Sequence, residues 1–506
     1  MSSAVAASDA PQHLVTVRQA LRSPRLLRTE VLGGLVVALA LIPEAISFSI
    51  IAGVDPRVGL FSAFTMAVTI AFVGGRPAMI SAATGAIALV VAPVVRDHGL
   101  DHLVVTVILA GVIQVVLGLL GVARLMRFIP RSVMVGFVNA LAILIFLAQL
   151  PQLINVPWLV YPLVAVTIVI IVVLPRFTTV VPAPLVAIVL VTIVTIVARF
   201  DVPTVGDQGE LPHSLPLPYL PQVPLTFETL TIVGPYALAA AVVGLMESLM
   251  TAKLVDDITD SHSDKNREAR GQGIAQIVTG IFGGMGGCAM IGQTMINVKQ
   301  SGSRTRISTL LAGVFLLILV VALGDIVGLM PMAALVAVMI MVSVGTFDWH
   351  SIRPGTLRQL PISATVIMLV TVVATVATSN LAIGVVLGVL VATVIFARRV
   401  AHFTEVVRID AGTTGAGTEA DTATYAVRGV LFFASSNDLV YQFDYAGDPE
   451  KVVIDLSAAQ IYDSSTVAAL DAIEQKYHQK GKSVEIRGLN EPSIRWHRLS
   501  GKLGGH

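Results

Sequence analysis

The chain has 506 residues, of which 55% are hydrophobic and only 13% charged, against about 25% charged in soluble domains. A spanning helix takes about 20 apolar residues. This composition therefore reads as a polytopic α-helical membrane protein with a soluble tail, and excludes a soluble enzyme, a secreted disulfide scaffold and an outer-membrane barrel of short alternating strands. Thirty-three Lys plus Arg balance 32 Asp plus Glu, so no strong field points to nucleic acid, and the one cysteine, Cys288, permits no internal disulfide.

Arg18, Arg22, Arg25 and Arg28 precede an apolar stretch that begins near Val31 and runs past Leu41 with no small-residue cleavage site, which predicts a first span and not a signal peptide. Apolar runs recur to Ala397, where Arg398 and Arg399 stop the last one. Cytoplasmic loops keep Lys and Arg. The breaks at Arg76, Arg124/Arg127/Arg131, Arg176, Lys253 to Arg270, Lys299/Arg304/Arg306, Arg353/Arg358 and Arg398/Arg399 are basic, whereas Val54 to Pro56, Pro151 to Pro157, Asp201 to Phe227, Asp325 and Ser379/Asn380 carry almost no Lys or Arg. Seven returns to the inside imply about 14 crossings in a multi-pass inner-membrane protein with both termini cytoplasmic.

Two crossings are too short to span as ordinary helices. The third begins Gly74-Gly75-Arg76-Pro77-Ala78-Met79-Ile80-Ser81, and the tenth begins Gly283-Gly284 and continues through Ala289-Met290-Ile291-Gly292. Both carry Gly-Gly followed by Ala-Met-Ile, and they run in opposite directions at matching positions of two halves. That is the pattern of a 7+7 inverted repeat, whose interrupted segments build a midplane binding site. Ser81, Thr84, Gly85 and Ala86 in one segment, and Gly292, Gln293 and Thr294 in the other, offer small or polar groups where extended backbone turns into helix. Half-helix N-termini there present unpaired N–H groups and positive dipole ends, an anion site.

Two carboxylates lie inside apolar runs, Glu44 and Glu247, each in the first crossing of its half. A carboxylate in hydrocarbon must face a cavity, find a partner or hold a proton, so both are candidates for proton coupling. Pro43 cannot donate to the Leu39 carbonyl, which predicts a loosened helix beside Glu44. Thr251, one turn from Glu247, could add an oxygen ligand for Na⁺ in place of a proton, and Phe48, one turn beyond Glu44, could wall the pocket. The charge run Asp256 to Glu268 reads as a solvated cytoplasmic loop and Cys288 as a small packing residue. No catalytic group, resident metal or cofactor is expected.

After Ala401 the chain turns polar. A Gly-, Thr- and Ala-rich stretch from Ala411 to Thr424 predicts a linker. Lys451 to Ser457 and Ser483 to Leu489 then read as buried strands around a helix from Ser464 to Tyr477, a βαβ pattern. The expected organisation is a cytoplasmic segment at 1–30, a transport domain at 31–400, a linker at 401–424 and an α/β domain at 425–506.

Pro43-Glu44-Ala45, Ile51-Ala52-Gly53-Val54-Asp55-Pro56, Gly59-Leu60-Phe61-Ser62, Asp264-Lys265-Asn266, Glu268 and Gly271-Gln272-Gly273 together resemble the signature of the SulP anion transporters, relatives of prestin and pendrin. The resemblance implies a core domain moving against a gate domain, an anionic substrate held between crossings 1, 3, 8 and 10, and usually a homodimer. The Pro-Glu-Ala-Ile-Ser-Phe form is similar to bacterial proton-coupled dicarboxylate (fumarate) carriers. Animal members often have an Arg where this chain has Gln293, which puts simple anion exchange in doubt. Sodium-coupled members use groups that fall on Glu247, Thr251 and Thr84. In the tail, Asp463-Ser464-Ser465 resembles the STAS domain, whose soluble relatives are phosphorylated on the Ser after the Asp, making Ser464 a regulatory candidate and Asp463 at least a helix N-cap. The function expected is import of a small dicarboxylate with a proton by alternating access, with lipid as its surroundings. Sodium-coupled bicarbonate or sulfate transport is the alternative, and a membrane sensor signalling through the tail is the reading from another class.

Overall fold

The computed structural model describes residues 16–123, 129–177, 182–212, 214–224, 226–401, 404–409 and 422–498. Most of the expected linker, residues 411–421, and the basic positions Arg124 and Arg127 lie outside them. The chain divides into two compact units, Met1–Val389 and Leu390–His506.

A short helix α1 (Val17–Arg22) leads into α2 (Pro24–Ala52) and α3 (Pro56–Val73), each opened by a Pro whose missing N–H costs nothing at a helix start. Then come strand β1 (Ser81–Ala82), α4 (Gly85–Leu119), α5 (Arg131–Gln149), α6 (Val160–Val173) and α7 (Ala183–Val197). The second set is α8 (Phe227–Thr259), α9 (Lys265–Ile281), strand β2 (Cys288–Ala289), α10 (Ile291–Met295), α11 (Arg306–Gly328), α12 (Met332–Thr346), α13 (Pro354–Gln359), α14 (Ile362–Thr378) and α15 (Leu381–Ala401). Helix α4 holds the third and fourth crossings in one run, turning at Gly99 (φ 80°, ψ −172°), a conformation that only glycine adopts without strain. With α4 divided there, α2 to α7 with β1 supply seven segments, and α8 to α15 with β2, setting aside the short α13, supply seven more. Among the described residues, seven helices are long and apolar enough to cross a membrane and four shorter apolar helices accompany them. Large exposed apolar side chains such as Val197, Ile362 and Val394 suit lipid on the outside.

Pro43 does not break α2. The Ser47 hydroxyl donates to the Pro43 carbonyl at 2.8 Å, that of Ser49 to Ala45 at 2.8 Å, and burial of Leu41, Ile42, Ala45 and Ile46 holds the helix through the proline.

Within the first unit α2, α3, α4, α8, α9 and α11 pack on one another, while α5 packs on α12 and α14 and α6 packs on α7 and α12. At the centre of the former group β1 and β2 run antiparallel, Ser81 opposite Ala289 and Ala82 opposite Cys288. Non-helical backbone at membrane depth survives only where its polar groups are satisfied. Here Met290 N–H donates to the Ile80 carbonyl at 2.9 Å, Thr294 Oγ1 accepts from Ile80 N–H at 3.0 Å, Asn297 Nδ2 donates to the Ala78 carbonyl at 2.8 Å, and Ser248 Oγ accepts from Ala289 N–H at 3.1 Å.

In the second unit the strands β3 (Glu405–Ile409), β4 (Thr422–Leu431), β5 (Lys451–Ile461) and β6 (Ser483–Arg487) form one sheet in that order, β3 antiparallel to β4 and the rest parallel. Helices α16 (Phe433–Leu439), α17 (Ser464–His478) and α18 (Glu491–His497) complete it, and α17 is the crossover of the expected βαβ unit. Strand β3 falls inside the stretch expected as linker, because its exposed Glu405, Val407 and Arg408 give an edge strand no apolar alternation to detect. Val427, Val452, Ile454, Val467 and Leu470 fill the core. The buried carboxylate of Asp448 accepts from Tyr477 Oη at 2.6 Å and from Tyr425 Oη at 2.9 Å, and burial together with that carboxylate raises the Tyr477 phenol above its ordinary value.

A Cβ at Gly287 would collide with the Ala82 carbonyl, so Gly287→Ala is expected to cost about 1–3 kcal/mol, the range for overpacking. A thermal melt in detergent checks this, with Gly292→Ala as the control, since a Cβ there meets nothing within 4 Å.

Candidate functional site

Where the β1–β2 pair passes into helix, a cavity of about 410 Å³ opens. Glu44 and Phe48 reach it from α2, Thr84, Gly85 and Ala86 from the start of α4, Glu247 from α8, and Gly292 and Gln293 from α10. Ala45 and Phe48 are buried on either side of half-buried Glu44, and Gln293 lines the same cavity. Thr84 caps α4, accepting from Ile87 N–H at 3.4 Å. Gly292 faces the open space. No Lys, Arg or His lines the cavity among the described residues, so its lining charge is two carboxyl groups.

Three expected residues stand behind the wall. Ser81 is fully buried and accepts from Gln272 Nε2 at 2.7 Å. Thr294 is used on Ile80 N–H, and Thr251 donates to the carbonyl of Glu247 at 2.7 Å. Their hydroxyls hold backbone and neighbouring side chains in place. The tenth crossing's helix is also shorter than a half-membrane helix, since α10 passes after Met295 into a π-helical turn over Ile296–Gln300.

Cys288 does more than pack. Its thiol donates to Glu247 Oε2 at 2.9 Å and lies 3.0 Å from Thr84 Oγ1, so one sulfur joins the third, eighth and tenth crossings. Nothing in the spacing of Cys288 from Glu247 signals this, because only the β1–β2 register brings them together. The far wall is equally illegible in sequence: Phe137, Leu141 and Ile145 on α5, and Val342, Gly345 and Thr346 at the end of α12.

The charge run after α8 is not simply a solvated loop. Arg76 is buried; its guanidinium donates to Asp256 at 2.9 Å and to Ser261 at 2.7 Å, and also bonds Thr259. Glu268, fully buried, accepts from Gly75 N–H at 2.7 Å and Arg76 N–H at 2.8 Å. Lys265 reaches Asp256 at 2.6 Å. Arg76 is thereby turned away from the cavity, tying the entry of the third crossing to α8 and α9. Glu30, on α2, plays the matching part for α11, accepting from Arg304, Thr305 and Ser308 N–H groups at 2.7, 3.0 and 3.1 Å. Among the described residues no group of three or more His, Cys, Asp or Glu side chains is arranged to hold a metal ion. In the second unit Asp463 caps α17, accepting from Thr466 N–H at 3.1 Å, and also accepts from Phe433 N–H at 2.6 Å, leaving Ser464 exposed on the first turn.

Two sets of seven segments, with interrupted members crossing beside a polar cavity, define a membrane carrier of the inverted-repeat class. The chain belongs to the sulfate permease family, whose model matches residues 27–167 and 154–371, and the STAS domain model matches residues 416–503. It is similar to YbaR of Bacillus subtilis (strain 168), 53% identical over 92% of this chain and 95% of that one, and to the bicarbonate transporter BicA of Picosynechococcus sp., 27% identical over 75% of this chain and 71% of that one. The solved transmembrane domain of a cyanobacterial BicA superposes with a TM-score of 0.65 at 28% identity, covering 71% of this chain and 97% of that one. Murine Solute Carrier 26 family member A9 in its inward-facing state superposes with a TM-score of 0.81 over 94% of this chain and 87% of that one, and at 17% identity it speaks for the fold alone. The protein is an anion transporter of this family, built as a helical transport domain followed by a STAS domain.

Removing the thiol leaves the Glu247 carboxyl and the Thr84 hydroxyl without their shared partner. Cys288→Ala is expected to lose about 1–3 kcal/mol, the cost of an unsatisfied buried group, while Cys288→Ser, which keeps a donor, loses less; thermal denaturation of both variants in detergent measures the difference.

Proposed function

We propose that this chain is a secondary active transporter that carries a small dicarboxylate such as fumarate inward together with protons. It does so by alternating access, an elevator-like shift of α2–α4 and α8–α11 against the remaining helices, as a homodimer in the inner membrane with both termini cytoplasmic. The observation that supports this most is the charge of the cavity: Glu44 and Glu247 both line it and no basic residue does. Two unit charges about 4 Å apart repel by roughly 4 kcal/mol at an effective dielectric constant near 20. An anion therefore enters beside two ionised carboxylates only at a large cost, and protons on those groups remove it. Loading the anion thus favours loading the proton, which is the thermodynamic content of symport. Backbone N–H groups at the start of α4 and the Gln293 amide serve as donors to the substrate. Glu44, which shares the cavity with Gln293, is the proton carrier. The STAS domain regulates or stabilises the carrier, and exposed Ser464 is its point of modification.

Sodium-coupled transport of bicarbonate or sulfate is the second reading. It is favoured by what two relatives are called, BicA being named a bicarbonate transporter and YbaR bearing a sulfate transporter's name. Against it, the polar point where Glu247 meets Thr84 also holds a thiol, a soft and neutral partner for a cation that prefers oxygen.

Glu44→Gln imitates the protonated acid in shape. In proteoliposomes it is expected to keep substrate binding and exchange while losing uphill uptake under an inward proton gradient. If it still concentrates substrate and Glu247→Gln does not, the carrier is Glu247; if a sodium gradient alone drives the wild type, the second reading holds. Gly292→Leu fills open space and is expected to abolish uptake with an unchanged melting temperature. Transport at the wild-type rate by that variant moves the binding site elsewhere.

A further inference from the structure

A second cavity, of about 450 Å³, lies next along the helices that form the far wall of the first, at the start of α5 and just past the end of α12. It is bounded by the first turns of α5, the turn after α12, α13 and the first turns of α14. Apolar helices end together there, so the cavity sits at a membrane–water boundary. The neighbouring surface agrees, with Trp349, Ile352, Leu360 and Ile362 exposed. Exposed Trp beside aliphatic side chains and arginines marks the headgroup level of a bilayer.

The cavity has a polar end and an apolar end. Val135, Ala364 and Met368 make the apolar one, along α5 and α14. At the polar end stand Arg131, Ser132, Asp348, His350, Thr356 and Gln359. Arg131 makes no ion pair or hydrogen bond among the described residues. Asp348 spends one oxygen on its own turn, Oδ1 accepting from His350 N–H at 3.0 Å and Ser351 N–H at 3.3 Å, while Oδ2 has no hydrogen bond among the described residues. Asn139 pins this turn from α5, its Oδ1 accepting from Asp348 N–H at 2.8 Å and its Nδ2 donating to Ser351 Oγ at 2.9 Å. A cation and an anion thus line one cavity, and among the described residues neither makes an ion pair, with each other or with any other group.

Two opposite charges without an ion-pair partner among the described residues suit a ligand that carries both. We propose that this cavity holds the phosphoethanolamine headgroup of a membrane phospholipid, with its phosphate on Arg131 and Ser132, its ammonium donating to Asp348 Oδ2, and an acyl chain along Val135, Ala364 and Met368. Arginine is the preferred partner of phosphate oxygens. A net-anionic headgroup would leave Asp348 unanswered and beside like charge. A choline headgroup has no N–H to give that carboxylate, and no Trp, Tyr or Phe lines the cavity among the described residues to receive a quaternary ammonium. The headgroup would bridge α5 to α13 and α14. The proposal does not rest on the transport reading, since neither Arg131 nor Asp348 lines the first cavity.

The test uses the full-length protein, delipidated in detergent, titrated with phosphatidylethanolamine, phosphatidylcholine and phosphatidylglycerol of one chain length and with soluble phosphoethanolamine. Native mass spectrometry and thermal shift give the readouts. The wild type is expected to bind phosphatidylethanolamine about tenfold more tightly than phosphatidylcholine, the worth of one charge-assisted hydrogen bond, and more tightly than phosphatidylglycerol. Asp348→Asn keeps an oxygen for the His350 and Ser351 N–H groups and is expected to erase that preference, while Arg131→Gln weakens all three lipids. Equal binding of the ethanolamine and choline lipids by the wild type overturns the proposal without any variant. Tighter binding of phosphatidylglycerol overturns it in favour of an anionic-lipid site, and soluble phosphoethanolamine matching the lipid overturns it in favour of a solute site.

Discussion

The transport domain depends on one solution to one problem, the burial of non-helical backbone in a region without water. Each unsatisfied N–H or carbonyl there costs several kcal/mol. Neither β1 nor β2 meets this demand alone. They meet it by pairing with each other, Ser81 opposite Ala289, and by taking side chains from elsewhere in the sequence: Ser248 from α8, Thr294 from α10 and Asn297 from the turn after it. Because the two strands belong to different halves of the chain, the binding cavity forms only when both halves are folded together.

The cavity that results has acids and no bases among its described lining residues. The nearest buried arginine of the third crossing, Arg76, is used to fasten the crossing to α8 and α9 through Asp256 and Glu268-bound backbone. On the proposed function, positive potential for a substrate in this cavity falls to backbone dipoles and neutral donors, which bind an anion without holding it as tightly as an ion pair would. A carrier has to release what it binds, and an acid that can change its proton gives the site two states of different charge. Cys288, bridging Glu247 and Thr84, links one of those acids mechanically to both interrupted segments.

The two parts of the chain are stabilised by different means. The transport domain exposes apolar side chains outward and keeps its polar groups inside, as a protein in lipid must. The STAS unit has the opposite arrangement, a core of Val, Leu and Ile around the β4–β5–β6 sheet with a buried Asp448 fully occupied by two tyrosine hydroxyls and Arg408.

Much of this was legible in the residues. Length, apolar runs and the basic breaks determine a helical membrane protein of many crossings. The repeated Gly-Gly and Ala-Met-Ile, together with the two carboxylates in apolar runs, mark where a site must form, because intramembrane charge and interrupted helices both demand a reason. Glu44, Phe48, Thr84, Gly85, Ala86, Glu247, Gly292 and Gln293 meet at one cavity. What tertiary structure alone decided is which way side chains turn once helices pack: Thr251 and Thr294 bond backbone, Ser81 bonds Gln272, and Cys288 faces Glu247. A hydroxyl two or three residues from the cavity looks identical in sequence to one that lines it. Direction is set by helix rotation and strand register, which are properties of contacts between segments up to two hundred residues apart, and no local pattern records them.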